Sequence, residues 1–141
     1  MQRYIHNILD FFELFEKLTF SMKKYDTVYS AILFEVKDET RINEFTSFLL
    51  KYLRISDTVF AYRKTKILVI LEDTTLRGAL KLNTELRNKM KEKGFSFDYY
   101  CSSIQGNFID SDEKLLKALR KRLKIAKKKN FKECIYDLSE Y

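Results

Sequence analysis

Histidine and cysteine are nearly absent from the 141 residues: one histidine, His6, and two cysteines, Cys101 and Cys134. The cysteines have no metal-ligand spacing, so the raw material for a zinc site or a His-based catalytic pair is missing. Both thiols are expected to be small buried apolar groups. Proline is missing altogether, and no apolar run is long enough to cross a bilayer, so no membrane partner is expected. The opening Met1-Gln2-Arg3-Tyr4-Ile5-His6 leads into an apolar stretch broken by Asp10, Glu13 and Glu16. That is an amphipathic pattern and not the apolar core of a signal peptide, so a cytoplasmic location is expected.

What is present is a 45% hydrophobic chain whose length suits a single domain, residues 1–141, with a real core. The net charge of +7 suggests an anionic partner. Much of it comes from Lys114, Lys117, Arg120, Lys121, Arg122, Lys124, Lys127, Lys128 and Lys129, which surround an apolar stripe of Leu116, Leu119, Leu123 and Ala126. This reads as a solvated helix face. A nucleic-acid-binding domain, using Arg63, Lys64, Lys66 and this basic helix with steep salt dependence as its mark, ranks last among the functions. The aromatics are not interleaved with the cations as a stacking platform needs, and only Tyr99 and Tyr100 stand out in a middle strand.

Periodicity divides the chain as follows. Ile5, Ile8, Leu9, Phe12, Phe15 and Leu18 recur at helical spacing and predict an amphipathic helix over residues 2–24. Its phenylalanines, Phe11, Phe12, Phe15 and Phe20, can cover a sheet and also leave apolar surface for a second copy of the chain. A strand follows over residues 27–36, mostly apolar and so central, then a helix over 38–52. Two β-branched and aromatic runs, 58–62 and 67–71, flank Arg63-Lys64-Thr65-Lys66 and predict a hairpin. Asp73-Thr74-Thr75 caps a helix that runs to Lys93 and stops at Gly94. A strand over 95–104 precedes a helix capped by residues 110–113 and ended by Asn130, and residues 133–136 read as a short last strand. The order gives an α+β fold with a ferredoxin-like split βαβ core and an N-terminal amphipathic helix.

The hairpin tip is unusual. Tight turns favour Gly, Asn or Asp, yet this one has three cations and no glycine. Glycine would let a phosphate approach the backbone; here side chains fill that space.

Spacing around the tip resembles the GGDEF family, whose active members make cyclic di-GMP from two GTP. There, Gly-Gly-Asp/Glu-Glu-Phe sits on a hairpin turn, preceded by Arg-x-x-Asp and five further residues. Here Arg54-Ile55-Ser56-Asp57 is followed by five residues and then Arg63-Lys64-Thr65-Lys66-Ile67. Leu68 to Leu76, with Ala79-Leu80 and Leu86-Arg87, is similar to the family's strand, turn and helix without a gap. Leu115-Leu116 and Ala126-Lys127 with Asn130 resemble its closing pattern. Glu35-Val36-Lys37 takes the place of its Asp-x-Asp, and Arg41-Ile42-Asn43-Glu44 looks like its Lys-x-Ile-Asn-Asp. The family's Gly-His and Gly-Asp stretch is missing.

The resemblance implies a GGDEF/palm-like fold with a degenerate signature turn, Arg63, Lys64, Thr65 and Lys66, and no enzyme activity. Active members hold two divalent cations with carboxylates; here Thr65 and Lys66 replace the acidic pair and only Glu35 remains. No metal and no cofactor are therefore expected. The family's inhibitory product site implies that Arg54 and Asp57 bind cyclic di-GMP. Glu85 falls where that site's second arginine belongs; Arg87, two positions on and on another side of the helix, is the third candidate. The residues alone equally allow a structural role, with Arg54 ending a helix and Asp57 opening a strand. The alternative function is a nucleotide-independent module for self-association or a protein partner through the aromatic N-terminal helix, with loss of association on removal of residues 1–17 as its mark.

Overall fold

The computed structural model describes residues 5–107 and 109–133. Five strands form one sheet in the order β1-β3-β4-β2-β5: β1 (Ile5–Asn7), β2 (Tyr29–Val36), β3 (Thr58–Arg63), β4 (Lys66–Glu72) and β5 (Tyr99–Gln105). Four helices accompany them: α1 (Phe11–Tyr25), α2 (Ile42–Leu50), α3 (Leu76–Lys93) and α4 (Asp112–Lys129). The β2-α2-β3-β4-α3-β5 core is the expected split βαβ arrangement, antiparallel at each of its pairings.

β2 is central because seven of its eight residues are buried and both edges are paired. Its alternation splits the core in two, since successive side chains leave a sheet on opposite faces. Ile32, Phe34 and Val36 join Phe45, Leu49, Leu86 and Met90 of α2 and α3. Ala31 and Leu33 join Phe11, Phe15 and Leu18 of α1 and Leu115, Leu119 and Leu123 of α4 on the other face.

The helix ends follow their capping residues. Thr75 accepts from the Gly78 N–H and Gly94 takes a left-handed φ of 73° at the far end of α3. Ser111 and Asn130, φ 52°, do the same for α4. The hairpin turn narrows to Lys64-Thr65, and an extra residue on β3, Tyr62, falls between the Ala61–Ile67 and Arg63–Lys66 pairs. Such a bulge lets the strands meet without the left-handed backbone that glycine would supply.

Three expectations are corrected. The first helix begins at Phe11, not at residue 2, because Ile5–Asn7 pairs parallel with Val59, Phe60 and Ala61 and a single 3-10 turn, Ile8–Asp10, intervenes. The strand expected over 95–104 starts only at Tyr99. Cys101 is buried but disulfide-bonded, not a free thiol. Cys134 and most of the strand expected at 133–136 lie outside the described residues.

Gly106 holds the end of β5 against the start of β2. Its N–H donates to the Tyr29 carbonyl at 2.9 Å, and a Cβ placed there would lie 2.2 Å from the Tyr29 ring.

Candidate functional site

α2 ends at Leu50, and after Tyr52 the chain makes a tight turn at Arg54-Ile55-Ser56-Asp57 before entering β3. The Asp57 N–H donates to the Arg54 carbonyl at 3.0 Å, and the Asp57 carboxylate accepts from the Arg54 N–H at 2.8 Å. A short acidic side chain closing its own turn in this way is the usual reason for aspartate at such a place. The same carboxylate accepts from Arg54 Nη2 at 3.1 Å, so one aspartate fixes both backbone and guanidinium. Its side chain is only 3% exposed, against 55% for Arg54.

Arg54 also ties two elements together. Its Nη2 lies 2.6 Å from the Glu72 carbonyl at the end of β4 and 2.5 Å from Thr74 Oγ1 ahead of α3. Burial pushes the Glu72 carboxyl above its ordinary value, with help from the charges of Asp73 and Asp57 and opposition from Arg54.

Beside this turn opens a cleft of about 520 Å³ between Arg54, Asp57 and the first half of α3. Lys81 lines it, but so do Asp73 and Glu85. Arg54 and Asp57 thus lie together at the edge of a cleft. Arg87 does not line it. The Arg87 guanidinium stacks 4.2 Å from the Tyr99 ring centroid and donates to the carbonyls of Tyr99 and Lys132. It points away because two positions along a helix turn a side chain by about half a circle; its inclusion with Arg54 and Asp57 is corrected. Sequence reasoning missed Thr74 as a partner of Arg54 and Lys81 as a wall of the cleft. The first could have been found from Thr74 following the strand that pairs with β3.

The hairpin end of the sheet holds the other candidates. Arg63 and Lys64 are exposed, and Thr65 and Lys66 are half-buried. The Arg63 guanidinium lies 5.6 Å from the Tyr62 ring centroid, and Lys66 sits opposite Glu35 across β4 and β2. Glu35, 12% exposed, accepts from Lys127 Nζ at 3.0 Å. Its second oxygen is buried and makes no hydrogen bond among the described residues. Lys37 pairs with Asp98 at 3.7 Å. Among the described residues there is no group of three or more acidic, histidine or cysteine side chains placed to hold a metal ion, and no helix is long and apolar enough to cross a membrane.

This architecture is the fold of GGDEF domains. The chain superimposes with a TM-score of 0.76 on the GGDEF domain of DgcB from Caulobacter crescentus in complex with c-di-GMP, at 8% identity over 95% of this chain and 92% of that one. The active GGEEF domain of a diguanylate cyclase from Vibrio cholerae gives 0.76 at 14% identity, covering 94% and 97%. The diguanylate cyclase SiaD from Pseudomonas aeruginosa, in complex with its activator SiaC, gives 0.76 at 13% identity, covering 93% of this chain and 58% of that one. No family model and no curated protein matches the sequence.

Proposed function

We propose that the chain is a catalytically inactive GGDEF-fold regulatory domain that acts as a receptor, taking cyclic di-GMP in the cleft beside Arg54 and Asp57. The carrying observation is the assembled state of Arg54, held by Asp57, the Glu72 carbonyl and Thr74 at the mouth of that cleft. Turned from the Glu72 carbonyl and Thr74 toward the cleft, the Arg54 guanidinium can donate in a fixed fork to guanine O6 and N7, and exposed carboxylates such as Asp73 and Glu85 can accept from guanine N–H groups. With Asp73 and Glu85 sharing the cleft with Lys81, the guanine bases, more than the phosphates, supply the recognition. The binding of c-di-GMP by DgcB, on the same fold, supports this reading.

Inactivity rests on charge. An in-line phosphoryl transfer needs cations held by oxygen ligands, and the turn carries Arg63, Lys64 and Lys66, while Glu35 is engaged by Lys127.

Calorimetry with cyclic di-GMP tests the receptor. Arg54→Ala is expected to weaken binding by roughly ten- to a hundredfold and Arg54→Lys to recover little of it, since a point charge cannot form the fork. Equal binding by wild type and Arg54→Ala, or none by wild type at high micromolar ligand, overturns the receptor. Incubation with GTP and magnesium is expected to give no cyclic di-GMP; product that disappears in Glu35→Ala overturns inactivity.

A second reading is favoured by one surface. Leu9, Phe12 and Phe20 are 84%, 53% and 60% exposed, an apolar face suited to a protein partner or a second copy. SiaD, whose chain includes the same fold, forms a complex with its activator SiaC. Failure of nucleotide binding, with self-association weakened by Phe12→Ser and Phe20→Ser, would make this the function.

A further inference from the structure

Two basic segments that are far apart in the sequence meet in the fold. Arg120 of α4 donates to the hydroxyl of Tyr62, 58 positions earlier. Arg63 lies over the same ring, so Tyr62 stands between two arginines. Lys124 and Lys127 follow Arg120 at i+4 and i+7, along one side of the helix, and both are exposed. Lys127 reaches Glu35, which faces Lys66 across the sheet, and Lys66 adjoins the turn that presents Lys64. One flank of α4 and the hairpin tip therefore make a single surface. Glu35, the carboxylate in this chain of contacts, is already paired with Lys127.

The chemistry of the surface selects among anionic partners. The large exposed apolar side chains among the described residues, such as Leu9, Phe12, Phe20 and Ile55, lie neither on the hairpin nor on α4. A membrane-inserting face or the centre of a hydrophobic protein interface would carry them. Spaced cations around a half-buried aromatic ring instead match a phosphate backbone with stackable bases. The sequence shows no such interleaving; the fold creates it by laying α4 beside the bulge at Tyr62.

We infer that the surface formed by Arg63, Lys64 and Lys66 of the hairpin and Arg120, Lys124 and Lys127 of α4 binds single-stranded nucleic acid without sequence preference, with Tyr62 as its stacking ring once Arg63 turns from it to a phosphate. The site is separate from the Arg54 cleft and stands whether or not that cleft binds a nucleotide.

The full chain is titrated by fluorescence anisotropy against a labelled oligouridine of about twenty nucleotides at several salt concentrations. Affinity should fall with salt along a slope of about −0.7 per phosphate neutralised. Arg63→Ser, Lys64→Ser and Lys66→Ser together should weaken binding at low salt by about tenfold or more and flatten that slope by about 2. The comparison variant removes the same charge from α3, on the opposite face of the sheet, with Lys89→Ser, Lys91→Ser and Lys93→Ser; it should keep most of the affinity. Both triple variants should remain folded at the temperature of the titration, checked by thermal unfolding; the α3 changes should lower the midpoint somewhat, since they remove the Lys89–Glu92 pair and two cations from a helix C-terminus. Arg120→Gln with Lys124→Gln gives a second reading from the α4 side and should also weaken binding. Equal weakening by the hairpin and α3 variants would show a response to net charge alone and overturn the proposal. So would absence of oligouridine binding at low salt, or binding only to vesicles of anionic lipid.

Discussion

Lys127 donates to the carboxylate of Glu35, 92 positions earlier in the chain, at 3.0 Å. The pair fastens the end of α4 to the central strand where the hairpin turns. Lys127 is half exposed, which limits what the contact is worth. A double-mutant cycle with Glu35→Gln and Lys127→Met, read by urea unfolding, should give a coupling of about 0.5–1 kcal/mol. A coupling of zero would show that the contact adds nothing to the stability of the fold.

Arg54 and Asp57 should respond unequally to truncation. Asp57 is buried and Arg54 is half solvated, so removing the arginine side chain takes the guanidinium away from a buried carboxylate, whereas removing the aspartate leaves a cation in partial contact with water. Arg54→Ala is expected to cost about 2–3 kcal/mol, more than Asp57→Asn, which retains an acceptor for the Arg54 N–H. Denaturant melts of both variants check this. The measurement also calibrates the binding experiment, since a folded Arg54→Ala protein is required there.

Glu72 should make the protein less stable as pH rises through the acidic range. Its carboxyl holds a proton more tightly in the folded than in the unfolded chain, so between the ordinary value of 4.5 and the raised folded value the folded state binds more protons. Stability contributed by this group is present below that window and is lost above it. Glu72→Gln should therefore be more stable than wild type at neutral pH, with the difference shrinking below pH about 4.5. Thermal unfolding across pH values shows whether the two curves converge in acid.

Gly106→Ala should destabilise although glycine adopts no left-handed conformation there. The added Cβ would overlap the fully buried Tyr29 ring, and a packed core yields to such an insertion only at about 1–3 kcal/mol. Gly94→Ala meets nothing within 4 Å but sits at φ 73°; its cost, about 1 kcal/mol, comes from the backbone alone. Chemical denaturation should rank Gly106→Ala as the more damaging.

The sequence made the local features readable. Thr75 and Gly94 bracket α3 and Ser111 and Asn130 bracket α4 because capping needs only neighbours in the chain. The hairpin and the Arg54–Asp57 turn were legible for the same reason. β1 was hidden, since three exposed residues carry no period and their partner lies 54 positions away. The departure of Arg87 was half visible in helical spacing, but its seat on Tyr99 depended on β5. The meeting of Tyr62 with Arg120 depends on how α4 crosses the sheet, and no local pattern encodes it.

β1 also bears on how the apolar surface around α1 can be studied. Its three residues occupy the outer edge of β3, so they serve as a stopper against strand addition from another molecule. A chain shortened by seventeen residues loses that stopper and, with it, Phe11 and Phe15 from beneath the sheet. Any oligomer it forms would arise from the bared edge of β3 and the opened core, and would report on a wound in the domain. Phe12 and Phe20, which can be changed singly with β1 left in place, are the means of separating a native contact from that injury.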